Sequence, residues 1–241
     1  MTKILEVKKL TKCFNGFTAL NNIDFTILKP GIHGLLGTNG AGKTTLMGII
    51  LGLIKPTFGD VIIFNKNLRN YSYEVLRFVN FTSPYLDLPK KLTVMENLQF
   101  FARLYGVNNF KNTINELAYE LKIEELLKKK FGSLSAGQKT KVGLCKSLIN
   151  SPRLLLLDEP TASLDPETSN FLREFLIKFK SRNETTILIA SHNMYEIEKI
   201  CDTVTILKNG RIIIEGPTKE LVRKNNCKNI EELFLNISNS T

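Results

Sequence analysis

The sequence predicts an α/β fold with a helical insertion. Three observations carry that prediction. Apolar, strand-like runs alternate with helical stretches along most of the chain. One of those runs leads through a glycine-rich loop, GTNGAGKTT at 37–45, into an apolar helical stretch. Between about 84 and 150, helices follow one another without intervening strands.

The elements follow in order. ILEVKKL (4–10) and NIDFTIL (22–28) alternate as half-buried strands do. GIHGLLG (31–37) is more continuously apolar, as expected of a central strand, and RLLLLDEP (153–160) and TTILIAS (185–191) read alike. In the insertion, Thr93 and Glu96 form a capping-box pair, and Val94, Leu98, Phe101 and Tyr105 follow at helical spacing up to Gly106. Ile114, Leu117, Ala118 and Leu121 mark a second helix. Asp165-Pro166 suits a helix start, with Leu172, Phe175, Leu176 and Phe179 as its apolar face. TVTILK-NG-RIIIEG (203–216) carries a hairpin signal, since Asn209-Gly210 supplies the positive φ of a tight turn. IEELFLNI (230–237) predicts a short peripheral helix.

Composition narrows the class. The chain has 241 residues, 43% apolar and 23% charged, which suits a globular protein with a sizeable core. The longest mainly apolar stretch, LMGIILGLI (46–54), is far short of a membrane span. The opening MTKILEVKKL lacks an apolar core of signal-peptide length, so export is not expected. Four scattered cysteines (Cys13, Cys145, Cys201, Cys227) without a CxxC suggest a reducing cytoplasm and thiols used for packing. A net charge of +10 attracts polyanions, but the basic residues are dispersed apart from KKK at 128–130, which reads as a solvated helix end.

The chemistry concentrates in three places. GTNGAGKT fits G-x-x-x-x-G-K-[ST] through Gly37, Gly42, Lys43 and Thr44, and it stands between a strand and a helix as that motif requires. Glycines let backbone N–H groups approach phosphate oxygens, and the helix N-terminus adds a favourable dipole. Lys43 is suited to the β- and γ-phosphates, and the Thr44 hydroxyl to Mg²⁺. Second, Asp158 and Glu159 end an apolar strand, and burying carboxylates without partners or metal is unfavourable. Open α/β sheets bind ligands at the carboxyl ends of strands. That placement suits Asp158 to orienting Mg²⁺ and Glu159 to polarising an attacking water. Third, His192 follows an apolar strand at the same end, which suggests a γ-phosphate contact, whereas His33, inside a strand, reads as structural.

With these residues the chain resembles the nucleotide-binding subunit of an ABC (ATP-binding cassette) transporter over roughly residues 3 to 216. The matches are a Walker A loop (37–45), a signature LSAGQ (134–138), a Walker B strand with its acid (154–159), a D-loop SLD (163–165) and a switch histidine, His192. The resemblance implies a P-loop NTPase core with a mainly parallel sheet, an antiparallel β subdomain and an inserted helical subdomain. It divides the chain into a core at 1–83 and 151–220, a helical signature subdomain at 84–150 and a C-terminal tail at 221–241. It implies ATP and Mg²⁺ as cofactors. ATP would be held by Gly37, Thr38, Asn39, Gly40, Ala41, Gly42, Lys43, Thr44 and Thr45, with Phe14 stacked on the adenine. Thr44 and Asp158 would hold the metal, Glu159 and His192 would be catalytic, and Asp165 would serve the D-loop. Subunits of the family pair head to tail, so Ser135, Ala136, Gly137 and Gln138 would close the partner's site in trans.

The partners implied are a transmembrane permease subunit and a second ATP-binding subunit, identical or different, with no specific nucleic acid. The place implied is the cytoplasmic face of the membrane, held through the permease. Residues Tyr85 to Lys91 would receive the permease's cytoplasmic helix, and LTVMENLQFFARLYGV together with NIEELFLNI resembles exporter-type subunits. Two departures stand out. Ala136 replaces the usual glycine of the signature, and VNFTSPYLDLPKKLTV (79–94) holds no glutamine where the family has its glutamine loop. Pro84 falls at that position, with Thr82 and Ser83 as substitute ligands. A soluble ABC-type ATPase acting on ribosomes or nucleic acid, and a nucleotide-gated switch with little turnover, are the alternatives.

Overall fold

The computed structural model describes residues 3–84, 87–162 and 164–239. It contains two compact units, one made of Met1–Leu76 with Thr186–Thr241 and the other of Arg77–Thr185. The second unit joins the strand that ends in Asp158 to the helical segment.

The first unit opens with strands β1 (Leu5–Phe14) and β2 (Phe17–Ile27), then β3 (Ile32–Leu36), helix α1 (Lys43–Ile50), β4 (Phe58–Ile63), the short β5 (Lys66–Asn67) and α2 (Leu68–Leu76). β2, β1, β4 and β5 form an antiparallel sheet in that order. β1 and β2 meet across Asn15-Gly16, both at positive φ (42° and 87°). This second Asn-Gly hairpin uses the same turn chemistry as Asn209-Gly210.

The second unit holds β6 (Val79–Thr82), α3 (Val94–Leu104), α4 (Phe110–Glu120), α5 (Ala136–Leu148), β7 (Leu154–Asp158) and α6 (Pro166–Asn183). β6 and β7 run parallel, pairing Val79 with Leu154 through Thr82 with Leu157. Every residue of β7 is buried, which is why its sequence is a continuous apolar run rather than an alternation. The Thr93–Glu96 capping box at α3 is present as expected. Leu172, Phe175, Leu176 and Phe179 are buried on α6. Tyr85, Leu86 and Ser163 lie outside the described residues, so the start of the expected permease-docking stretch and the first D-loop residue are not located.

The chain then returns to the first unit with β8 (Thr186–Ser191), α7 (Met194–Ile200), β9 (Thr203–Lys208), β10 (Arg211–Pro217), α8 (Thr218–Lys224) and α9 (Ile230–Asn239). β3 lies parallel to both β8 and β9, and β10 closes antiparallel on β9 through the expected hairpin. α9 buries Ile230, Leu233 and Phe234. His33 is structural as expected. Its Nε2 donates to the Lys29 carbonyl (3.1 Å), which leaves Nδ1 to accept from the Thr203 hydroxyl (2.7 Å).

Packing explains two of the thiols only. Cys145 and Cys201 are buried, and burial pushes the Cys145 thiol up to about 12, which removes its reactivity. Cys13 is exposed, at the end of the β1–β2 hairpin, where no core exists to fill.

The centre of β7 sets the stability of its unit. Leu156→Ala is expected to lower unfolding free energy by about 2–5 kcal/mol, because a fully buried side chain leaves a cavity behind. Urea unfolding of the purified chain measures it.

Candidate functional site

The glycine-rich loop at 37–45 is built by close approach. β3 ends at Leu36 and α1 starts at Lys43. Gly40 and Gly42 hold φ of 81° and 110°, which side chains rarely adopt. A Cβ on Gly42 would stand 2.7 Å from the Ala19 carbonyl oxygen of β2, and one on Gly37 would stand 2.5 Å from the Leu207 carbonyl oxygen of β9. The β9–β10 turn also braces the loop, since the Gly210 N–H donates to the Ala41 carbonyl (3.0 Å). The loop is therefore shaped from outside itself.

Lys43 is 6% exposed, and its ammonium donates to the carbonyls of Gly37 (2.7 Å) and Thr38 (3.2 Å). The charge is held across the loop it belongs to. Thr38, Asn39 and Gly40 at the loop's crest are exposed, Ala41 is buried, and the exposed Thr44 and half-buried Thr45 follow in the first turn of α1.

His192 stands exposed just beyond β8, on a corner fixed by three side chains. The Ser191 hydroxyl accepts from the Asn193 N–H (3.1 Å) and donates to the carboxylate of fully buried Glu196 (2.9 Å). Asn193 caps α7 by accepting from the Glu196 N–H (3.1 Å). These bonds lock the backbone on either side of His192. Phe14 is 40% exposed at the end of β1, and the Lys12 ammonium sits 4.5 Å from its ring centroid. It does not serve as core. One face carries a cation, an arrangement that polarises the ring.

The second unit carries the acids and the signature. Asp158 is buried at the end of β7, and the half-buried Glu159 follows at φ 50°. Asp165 caps α6 by accepting from the Thr168 N–H (2.8 Å). That bond holds its carboxyl below the usual carboxylate range, so it is ionised at neutral pH. At the signature, Ser135 is the N-cap of α5. Its hydroxyl accepts from the Gln138 N–H (3.3 Å), and its own N–H donates to the Gln138 side chain (3.1 Å). The capping box thus engages the Ser135 N–H, and Ala136 and Gly137, in the first helical turn, supply the donors that an α-helix does not use itself. Thr82, Ser83 and Pro84 line a cavity of about 330 Å³ with Lys139, Thr140 and Pro160, so the stretch lacking glutamine borders the root of the signature helix.

A family model described as ABC transporter matches residues 20–162. The chain belongs to the ABC transporter family. Among curated ABC proteins, the lantibiotic transport ATP-binding protein SrtF of Streptococcus pyogenes is 36% identical, covering 97% of this chain and 96% of its own. The bacitracin transport ATP-binding protein BcrA of Bacillus licheniformis is 34% identical, covering 93% of this chain and 73% of its own. A solved structure described as an ATP-binding subunit of an ABC transporter superposes with a TM-score of 0.89 at 28% identity, covering 98% of this chain and 99% of that one. This ABC protein is thus an ATP-binding subunit and an ATPase, with the P-loop cassette fold, and its partners are a transmembrane permease and a second ATP-binding subunit.

Some of the supporting residues of this ABC cassette are not legible in its sequence. The Gly210 brace depends on a strand pairing, so nothing local announces it. Ser191 and Glu196 look like a strand end and an ordinary helix residue. The spacing Asn193–Glu196 is a helix-start signal that could have been read.

Proposed function

We propose that this subunit hydrolyses Mg-ATP in a composite site and that its closure on a partner drives export through a separate membrane chain. The observation that carries the reading is the loop around Lys43, whose backbone at Gly37 and Gly42 packs so closely on the Leu207 and Ala19 carbonyl oxygens that neither position can bear a Cβ. Its glycines keep backbone N–H groups accessible to phosphate oxygens, and Lys43 supplies the counter-charge. Residues 37–45 bind the phosphates and Phe14 stacks on the base. Thr44 and Asp158 offer the hard oxygen ligands that Mg²⁺ prefers. The metal, when bound, neutralises charge on the phosphates. Glu159 accepts a proton from the attacking water, His192 contacts the terminal phosphate, and Asp165 orders the loop before α6. Ser135 to Gln138 complete the partner's site. Export is supported by the relatives, whose names refer to bacitracin transport, lantibiotic transport and, at 32% identity, Nod factor export.

Among the described residues no helix is long and apolar enough to cross a membrane. The reading places the subunit on the cytoplasmic face, held by the permease. Co-purification from native membranes is expected to bring down a multi-span chain; recovery with ribosomes or nucleic acid instead would favour the soluble alternative.

Lys43→Ala is expected to weaken Mg-ATP binding by roughly ten- to a hundredfold, since a hydrogen bond to a charged group contributes about 1.5–3 kcal/mol. Titration calorimetry reads it directly. Unchanged affinity would rule out Lys43 as the counter-charge to the phosphates.

A further inference from the structure

Lys12 and Phe14 stand two residues apart at the end of β1. Lys12 is half-buried, and among the described residues no carboxylate pairs with it. Its ammonium donates instead to the Lys55 carbonyl (3.0 Å) and lies 4.5 Å from the centroid of the Phe14 ring. A lysine at a surface ordinarily keeps its charge hydrated and its long stem in motion. Here the stem is held at two points, one carbonyl and one aromatic face.

The anchoring carbonyl belongs to the segment that follows α1. That segment holds the end of β1 twice more. The Thr57 N–H donates to the Thr11 carbonyl (2.8 Å), and the Cys13 N–H donates to the Thr57 hydroxyl oxygen (3.0 Å). α1 begins at Lys43, so one helix carries the phosphate counter-charge at its start and, through Lys55 beyond its end, the support of the ring. Phe14 is 40% exposed and borders the exposed turn Asn15-Gly16, so core packing does not fix its ring.

The face of a phenyl ring is electron-rich, which opposes direct stacking of another π-system on it. A cation over one face draws that density toward itself and leaves the opposite face poorer. A purine meets less repulsion there. The cation also fixes the plane of the ring, and a side chain already ordered lowers the entropy cost of binding.

We propose that Lys12 is a positioning residue for the nucleotide base: it holds Phe14 by one face and presents the opposite face to adenine. The inference rests on the reading that Phe14 stacks on the base, and it adds the residue on which that stacking depends. The phosphates belong to residues 37–45, so Lys12 acts on the base alone.

The test uses the full chain in titration calorimetry with two probes, Mg-ATP and magnesium tripolyphosphate, which has phosphates and no base. Lys12→Met keeps the stem and removes the charge. It is expected to weaken Mg-ATP binding roughly two- to fivefold, the effect of a cation–π contact at an exposed site, and to leave tripolyphosphate affinity at its wild-type value. A merely structural role would weaken both probes together. Lys12→Arg keeps a cation able to lie over the ring and is expected to restore ATP affinity. Phe14→Leu is expected to weaken Mg-ATP binding by itself. Adding Lys12→Met to it is expected to have no further effect, since the ring through which Lys12 acts is gone. Additive losses in the double variant, or equal losses for the two probes, would overturn the proposal and leave Lys12 as a tether for the segment after α1. Tighter ATP binding by Lys12→Met would overturn it as well, because Lys12 would then occupy the face the base needs. In each of those cases a loss of ATP affinity in Phe14→Leu keeps the stacking reading. Unchanged ATP affinity in Phe14→Leu would remove that reading, and the proposal with it.

Discussion

Glu159→Gln is expected to reduce ATP turnover by roughly a hundred- to ten-thousandfold, the usual range for loss of a general base, while ATP affinity stays within about twofold of wild type. The amide occupies the volume of the carboxylate but cannot accept a proton from water. The position favours a clean substitution. Glu159 holds a positive φ just past β7, and Gln has the same backbone demands, so the turn toward Ala162 is preserved. Nucleotide contacts assigned to residues 37–45 are untouched. The variant should therefore bind ATP, close on its partner and remain closed, which a sizing column reads as an ATP-dependent dimer. Near-normal hydrolysis would show that another group activates the water. Loss of turnover without accumulation of the dimer would weaken the closure reading and leave the assignment of Glu159 standing.

The second large effect is a restoration of activity. Lys43→Ala chains carry a broken phosphate loop and an intact signature, and Ser135→Arg chains carry the reverse. Alone, each is expected to be nearly inactive, because both sites of a head-to-tail dimer then contain a defect. In a mixed dimer one site collects both defects and the other none. Mixing should recover ATPase activity up to what one intact site supports. Because Ser135 caps α5, the arginine also removes a helix cap worth about 1 kcal/mol. Ser135→Asp serves beside it: aspartate keeps the cap and sets a negative charge against phosphate, so inactivity of that variant is not a folding defect. Wild-type chains must first be shown to self-pair and hydrolyse. With verified mixed dimers, a flat mixing curve rejects the shared site.

Legibility from sequence followed the range of the interactions. Continuously buried strands such as β3, β7 and β8 were plain, since burial on both faces demands unbroken apolar runs. Helix starts at Thr93 and Asp165 were plain because capping is local. β6 was not: its four residues include Asn80, whose burial is made tolerable by a side-chain bond to Asn150 (2.8 Å), seventy residues away. β5 has two residues and exists through pairing with β4. The candidate loops were legible because phosphate chemistry requires glycine, lysine and hydroxyl at set spacings. What surrounds them was not. The Ser191–Glu196 bond and the Lys12–Phe14 contact join residues of ordinary type, and only the fold shows that they meet.

The bond from Gly210 to Ala41 has a consequence for rates. A loop held from outside by the β9–β10 turn has little left to order when a nucleotide arrives, so association should run near the speed of productive encounter. Differences between nucleotides would then be expressed in how slowly each leaves. Gly210 contributes no side chain to any ligand, and a Cβ there would stand 2.6 Å from the Ala19 carbonyl oxygen. Disturbing that turn would let the loop fluctuate. Arriving nucleotides would then meet a partly unformed receptor, and the change would fall on the on-rate, with the chemical groups of the site still in place.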